Sequence, residues 1–251
     1  MKYIVPRGFT TLIDDPIEDV RLFRLKSPPN SEVFLVEGAE PDSFQPHPEF
    51  RGITLGYRPD GQLFRANSGP KGGHFSICRI CGNAKRSPGA HKKPWGPDCS
   101  GGRITADLVC EFRTDTLQLR FDGVRPAPPG VGDRSFWLSL QTGFIAAVAD
   151  TLVIPRRDLD GTYRSQGEGS SAGELVVYDR VPGGAGYVGR IRQELPRILN
   201  SMLERVRNCP NSACEPAGSC YACLRTYGNQ FNWDILRRDG IADWLGAVLT
   251  I

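Results

Sequence analysis

Four cysteines stand within fifteen residues near the end of the chain, and their side chains could share one metal ion. They follow the spacing Cys209-x4-Cys214-x5-Cys220-x2-Cys223, interrupted by prolines and a glycine that favour turns. Closely spaced cysteines on turns converge at little loss of chain entropy, and four thiolates suit tetrahedral zinc with bonds of about 2.3 Å. The pattern therefore predicts a zinc site with these cysteines as ligands.

Two disulfides are the alternative for the same four cysteines, and they require an oxidising compartment. The chain begins MKYIVPRGFTTLIDD, without the apolar segment of a secretory signal peptide. No run of about 18 apolar residues occurs, so we expect no membrane-spanning helix and no membrane partner. We therefore expect a cytoplasmic protein and favour zinc over disulfides.

A second group of potential ligands lies upstream, in a basic and glycine-rich segment. The pair Cys78-x2-Cys81 is followed by His91 and Cys99 in GAHKKPWGPDCSGG. The segment has few apolar residues and cannot fold around a core of its own, so a metal ion would have to hold it. A second zinc site is therefore expected here.

The same segment is a candidate nucleic-acid surface. From Lys71 to Arg103 the chain has seven lysine or arginine residues and a single acidic one. Cationic side chains beside an aromatic one are typical of a surface that follows a nucleic-acid strand. Charges that accompany cysteine thiolates, or that contact a partner protein, would give the same composition. The candidate contact residues are Lys85, Arg86, Lys92, Lys93 and Trp95.

The length and composition indicate a folded protein of one large or two small domains. The chain has 251 residues, 39% of them hydrophobic, and a net charge of +3 that by itself indicates no partner. We expect an α+β fold, in which a small mixed or antiparallel sheet packs with helices and one or two zinc knuckles stabilise it. The expected domains are a β-rich lead-in with a hairpin (1–67), the basic zinc-binding insert (68–103) and a zinc-binding module (104–251).

Periodicity and turn residues predict the secondary structure. The predicted strands are 32–38, a hairpin of 52–57 and 62–66 around the turn RPDG, one or two strands over 104–121, and 151–155 and 173–179. The predicted helices are 135–150, a helix from Tyr187 that Pro196 kinks or divides, and one or two helices over 233–251. The glycines of VPGGAG could form a tight turn or present amides to a phosphate, and we favour the turn, with Asp179 as its cap.

The order of these segments resembles a known module. FRTDTLQLRF, FWLSLQTGFIAAVADTLVI, VVYDRVPGGAGYV and SCYACLRTYGNQ are similar to the C-terminal zinc-binding module of the mitomycin-repair (MrfA-like) DEAD/DEAH-box helicases, also found in antiphage proteins such as the DISARM component DrmB. The resemblance covers about residues 70–250. It implies zinc on the four C-terminal cysteines, and the upstream group resembles an extra metal-binding insert of some members.

The fourth ligand of the upstream group has two candidates. Cys110 could replace His91, but it stands in an alternating strand pattern, where a buried free cysteine is common. We favour His91 on ligand chemistry.

The resemblance also sets the expected function. No G-x-x-x-x-G-K-[ST] loop is present, so we expect no ATP hydrolysis by this chain alone. It is expected to be a non-catalytic accessory module that works with a helicase core or helicase subunit in DNA repair or antiphage defence, and that helps bind or guide single-stranded DNA. A protein-interaction module without DNA contact is the alternative. A zinc hydrolase or nuclease is disfavoured, because four cysteines leave no open zinc position and neither H-E-x-x-H nor a deaminase motif occurs.

Overall fold

The computed structural model describes residues 3–4, 22–25, 32–36, 43–67, 74–85, 90–93, 96–121, 133–165, 173–181 and 183–249. Contacts group the chain into two units, each built from two segments. The first unit comprises Met1–Ala39 and Gln62–Phe112, and the second comprises Glu40–Gly61 and Arg113–Ile251. The three consecutive domains expected from the sequence remain a prediction.

Strands and helices both contribute to the described part of the chain. In chain order the strands are β1 Tyr3–Ile4, β2 Leu22–Leu25, β3 Glu32–Val36, β4 Gln45–Pro46, β5 Ile53–Asn67, β6 Phe75–Cys78, β7 Ala84–Lys85, β8 His91–Lys92, β9 Asp98–Cys99, β10 Arg103–Phe121, β11 Leu159–Ser165 and β12 Gly173–Asp179. The helices are α1 Asp133–Leu152, α2 Tyr187–Arg207 and α3 Asp239–Leu249, with 3-10 helices at Arg156–Asp158 and Tyr227–Asn232. The expected α+β class is confirmed.

The first unit is built mainly from antiparallel strand pairs. β3 pairs with β2 and with the second half of β5, while β6 pairs with β7 and with the start of β10. β1 runs parallel to β10, and β8 and β9 form a separate two-stranded pair. Among the described residues a small apolar cluster lies between β6 and β10, where Ile77 and Ala106 are buried against Phe75 and Ile104.

The second unit contains the main hydrophobic core. β12 lies between β10 and β11 in antiparallel register, and all seven of its residues are buried. α1 packs against β11 and α2, and α2 packs against α3. The apolar face predicted for α2 is buried, with Leu203 only partly so, and the helix runs through Pro196 without ending. Burial of this face against α1 and α3 is the main reason why the sequence forms a helix here.

A tight contact joins β12 to α1. A Cβ atom on Gly173 would lie 1.9 Å from Cζ2 of Trp137, so only glycine fits at this position. The Trp137 ring is fully buried and stacks on Tyr163 of β11, with ring centroids 5.9 Å apart. The close approach of strand and helix therefore depends on the missing side chain.

Asp179 connects the end of β12 to the start of α2. Its carboxylate accepts hydrogen bonds from the backbone N–H groups of Ala185, Tyr187 and Val188, at 2.7, 3.2 and 3.2 Å. Gly186 precedes the helix with φ of 76°, a value that glycine adopts without strain. The carboxylate thus satisfies amides that would otherwise lack partners at the helix start, as expected for a cap.

The predicted hairpin in residues 52–66 is wrong, because β5 continues through the RPDG sequence without reversing. The neighbouring part of β10 supplies partners for this stretch. The Asp60 N–H donates to the Asp115 carboxylate at 3.3 Å, and the Thr116 hydroxyl donates to the Arg58 carbonyl at 3.4 Å. Pairing with a distant strand therefore overrides the local turn preference.

The predicted strand over residues 151–155 is also wrong. Helix α1 continues to Leu152, and the Ile154 N–H donates back to the Ala149 carbonyl at 3.0 Å. The strand of this region is β11, Leu159–Ser165, which lies between the two strands predicted at 151–155 and 173–179. A short apolar run does not by itself distinguish a strand from the last turn of a buried helix.

Candidate metal centres

The C-terminal cluster consists of Cys209, Cys214, Cys220 and Cys223, which the loop after α2 brings together. Their sulfur atoms all lie within 4.8 Å of one another. The Sγ–Sγ distances are 3.4 Å for Cys209–Cys220, 3.9 Å for Cys214–Cys223 and 3.8 Å for Cys220–Cys223. Four sulfurs bonded to one zinc ion at about 2.3 Å lie about 3.8 Å apart, whereas a disulfide requires about 2.05 Å. The four sulfurs therefore fit a tetrahedral ion and not covalent pairs.

Backbone amides help to prepare the sulfurs of this cluster for an ion. The Cys220 N–H donates to the Cys223 sulfur at 3.1 Å, as expected for a two-residue knuckle. Burial acts to raise the pKa of Cys220, but hydrogen bonds with the Cys209 thiol, the Ala222 amide and the other two thiols together lower the pKa to about 7. Burial raises the pKa of Cys223 to about 12. A divalent cation is the group that would allow all four to be thiolates together.

Arg238 ties the cysteine loop to the end of α2. The residue is 8% exposed, and its guanidinium donates to the backbone carbonyls of Val206 and Cys214 at 2.8 and 2.6 Å. It also reaches the carbonyls of Arg207 and Glu215 at 3.2 and 3.3 Å. A cation at a helix C-terminus is electrostatically favourable, and here it also positions the chain on both sides of Cys209.

The upstream cluster contains Cys78, Cys81, His91 and Cys99. One ligand atom from each lies within 4.8 Å of all the others. The Cys78 and Cys99 sulfurs are 3.7 Å apart, and the Cys81 sulfur is 3.1 Å from Nε2 of His91. The Cys81 backbone amide, and then that of Ile80, lower the pKa of Cys78 to about 6. Three sulfurs and one imidazole nitrogen are a set that suits tetrahedral zinc.

Two neighbouring residues shape the upstream cluster. The Arg103 guanidinium lies 2.9 Å from Nδ1 of His91 and also bonds the hydroxyl of Ser76. A guanidinium only donates, so Nδ1 is the acceptor, and an ion at Nε2 would require the ring proton to move to Nδ1 and this contact to open. Gly101 lies so close that a Cβ atom there would be 2.6 Å from the Cys78 sulfur.

The structure assembles all eight predicted metal ligands into these two clusters, and their role as ligands remains a prediction. Cys110 is part of strand β10, and the structure does not describe its side chain. Of the predicted nucleic-acid contacts, Lys92 and Lys93 are exposed next to His91. The structure describes the backbone of Lys85, in β7, but not its side chain. Arg86 and Trp95 lie outside the described residues.

The roles of Arg103 and Arg238 could not be predicted from the sequence, because nothing in the local pattern marks an arginine that bonds distant carbonyls. The segment SCYACLRTYGNQFNW also carries several aromatic residues, which are a signal that could have indicated a contact surface. Tyr221, Tyr227 and Phe231 are exposed, and the Tyr221 ring packs edge-on against Trp233 at 5.2 Å. Among the described helices none is long and apolar enough to cross a membrane.

Comparison with known proteins confirms the resemblance seen in the sequence. Residues 140–224 match the family model of the MrfA Zn-binding domain, and this range contains the whole C-terminal cluster. Druantia protein DruE of Escherichia coli (strain UMEA 4076-1) is 29% identical over 223 residues, which are 76% of this chain and 12% of DruE. The match to a Zn-binding domain and the two clusters together indicate zinc as the cofactor.

Solved structures of one helicase are similar to this chain over most of its length. The crystal structure of the DUF1998 helicase MrfA bound to DNA is 14% identical with a TM-score of 0.48, over 92% of this chain and 25% of that one. The structure of the same helicase bound to DNA and AMPPNP is 8% identical with a TM-score of 0.36, over 88% and 23% of the two chains. This chain thus spans a small part of each relative.

Proposed function

We propose that this chain is a zinc-stabilised, non-catalytic accessory module of a superfamily-2 helicase system that acts on DNA, in repair or in antiphage defence. The observation that carries the proposal is the closed four-cysteine cluster inside the stretch that matches the MrfA Zn-binding domain. Four protein sulfurs would fill all four positions of a zinc ion, which leaves none for a reacting water. Zinc here would hold the loop in shape and would not act on a substrate.

The module would help to bind or guide a single DNA strand. Lys92 and Lys93 support this part of the proposal, since both are exposed in and after the short strand β8, next to a second cluster that would hold that strand rigid. Lysines on a rigid support attract phosphates without reading sequence, which suits a surface that follows a strand. The solved relative is described as a helicase bound to DNA.

The test measures binding of a fluorescent single-stranded oligonucleotide by anisotropy over a series of salt concentrations. Changing Lys92 and Lys93 to Glu should weaken binding and reduce the salt slope by about 1.4, because each phosphate contact to a single strand contributes about 0.7. Arg197→Glu is the matched control, since this arginine is exposed on α2, away from the upstream cluster in sequence. Unchanged binding by the double lysine variant would exclude DNA contact through these lysines.

Docking on a helicase without DNA contact is the second candidate, and the exposed aromatic side chains favour it. Tyr221, Tyr227 and Phe231 would present three large rings beside the C-terminal cluster, and aromatic residues are enriched in protein interfaces. If this candidate is correct, alanine at Tyr227 and Phe231 should abolish co-purification with the helicase of the same system. The lysine variants should then co-purify normally.

A further inference from the structure

A cleft with a cavity volume of about 710 Å³ opens in the second unit, and none of the cysteines of either cluster lines it. One wall is formed by Gly186, just before α2, and by Gly189 and Pro196 on one face of that helix. The opposite wall comes from residues 45–49, together with Leu55 and Tyr57 of β5. Its volume is in the range of pockets that hold small ligands, about 300 to 1,000 Å³.

Two arginines flank the glycine face. Arg190 and Arg192 both line the cleft and are exposed. Arg192 donates to the side-chain carbonyl of Gln45 at 2.8 Å, and Arg190 makes a long contact of 3.4 Å to the Leu152 carbonyl. Each of these two hydrogen bonds uses one of the five N–H donors of its guanidinium, so further donors of both groups can serve a ligand. Glu49 is the carboxylate in the lining, which leaves an excess of positive charge.

A histidine in the opposite wall supplies a further polar group. His47 is 9% exposed, its ring stacks on Phe50 at 4.7 Å, and its Nδ1 accepts the Glu49 N–H at 3.1 Å. Because Nδ1 is the acceptor, the neutral ring carries its proton on Nε2 and is a donor there. The start of α2 is not itself the anion site, because three backbone N–H groups at and just before it already donate to the Asp179 carboxylate.

The glycine in the middle of the helical wall keeps the cleft open. A Cβ atom on Gly189 would lie 3.9 Å from the Tyr57 hydroxyl, which is ordinary contact distance. A small side chain could therefore be accommodated, and a large one would project into the space between α2 and β5. This geometry provides a way to block the cleft without removing any of its polar groups.

We propose that this cleft binds a nucleotide, with its phosphate contacted by the side chains of Arg190 and Arg192 and its sugar and base against Tyr57 and Leu55. Guanidinium groups are suited to phosphate oxygens, to which they can donate in pairs. Glu49 favours a nucleotide over inorganic phosphate, because a carboxylate can accept from a sugar hydroxyl or a base amino group but repels a bare anion. The nucleotide is either free or the 5′-phosphorylated end of a strand, and the site does not depend on DNA contact through Lys92 and Lys93.

Isothermal titration calorimetry with AMP, adenosine and inorganic phosphate tests the site on the full chain. AMP should bind more tightly than either fragment. Arg190→Gln and Arg192→Gln should each weaken AMP binding about tenfold, the loss expected for one charge-assisted hydrogen bond. Gly189→Leu should abolish binding while circular dichroism and thermal unfolding stay close to wild type. Arg197→Gln, the same change on the same helix outside the cleft, should leave AMP binding unchanged.

Competition identifies the source of the nucleotide. Displacement of AMP by a 5′-phosphorylated oligonucleotide, and not by its 5′-hydroxyl form, would assign the site to strand ends. No displacement by either form, with AMP still bound, would assign it to a free nucleotide. The proposal is overturned if wild-type protein binds neither AMP nor the phosphorylated strand end, or if folded Gly189→Leu protein binds AMP as tightly as wild type.

Discussion

Burial raises the pKa of two thiols in the C-terminal cluster, Cys214 and Cys223, and a shared cation would allow them to ionise together with the other two. Cys223 is the clearest case, since it is fully buried and burial raises its pKa to about 12. The Cys220 amide donates a hydrogen bond to the Cys223 sulfur. The Arg238 guanidinium donates to the Cys214 carbonyl and so holds the cysteine loop. Such surrounding contacts orient ligands before the ion arrives.

Zinc stoichiometry is the prediction that belongs to single residues. Purified protein should contain two zinc ions per chain, and Cys223→Ser or Cys81→Ser should each remove one, because the loss of one of four ligands abolishes tight binding. Elemental analysis measures this directly. His91→Gln should also remove one ion, while Cys110→Ser should keep both. If Cys110→Ser removed one ion and His91→Gln kept both, Cys110 would be the fourth ligand.

Among the elements, helix α2 connects the VPGGAG segment that precedes it to the C-terminal cluster that follows it. Asp179 caps its start and Arg238 bonds the carbonyls at its end, so both ends are held by side chains from other segments. Pro196 within the helix removes one backbone donor, which costs the isolated helix stability. The contacts of α2 with α1 and α3 must therefore supply much of what keeps it helical.

Removing the Arg238 guanidinium should uncouple the end of α2 from the cysteine loop. Arg238→Met leaves several buried carbonyls without a donor, and we expect the free energy of unfolding to fall by about 2 to 4 kcal/mol. Urea denaturation at a fixed zinc concentration measures the change. Arg237→Met is the control, since its partly exposed ion pair with Asp239 should contribute less than about 1 kcal/mol. Equal losses for the two variants would contradict the assigned role.

At the scale of the whole molecule, the two units differ in what stabilises them. The second unit has an extensive apolar core that includes residues of α1, α2, α3 and β12. Among the described residues of the first unit, the apolar cluster around the cysteine-bearing strand β6 is small. The first unit should therefore depend on its metal site far more than the second does.

Metal removal should reduce the hydrogen-exchange protection of the first unit much more than that of the second. After chelation with EDTA, backbone amides in residues 74–103 should lose protection from hydrogen exchange, because little apolar burial remains to hold them. Amides of α1 should keep their protection, and loosening in the second unit should be confined to residues near the C-terminal cluster. Mass spectrometry of the exchanged protein gives the measurement, and zinc added back should restore protection. Protected amides in 74–103 after complete zinc loss would contradict the prediction.

Features that depend on short stretches of chain could be predicted from the sequence. Both ligand groups were predicted because their members are close in sequence, and the buried face of α2 was predicted because helical spacing records which side is apolar. The strand at Gly173–Asp179 was predicted for the same reason, as a short apolar run between turn residues. In each case the spacing of residues that are close in sequence is sufficient for the prediction.

Features that depend on partners distant in the chain become visible in the folded protein alone. The RPDG sequence continues as a strand because β10 pairs with it. Folding brings backbone carbonyls to Arg238 and the His91 ring to Arg103. The cleft exists because residues 45–57 lie against α2, more than 120 positions away in the chain. Such contacts leave no spacing pattern in the sequence, since their free energy comes from packing that only the complete fold provides.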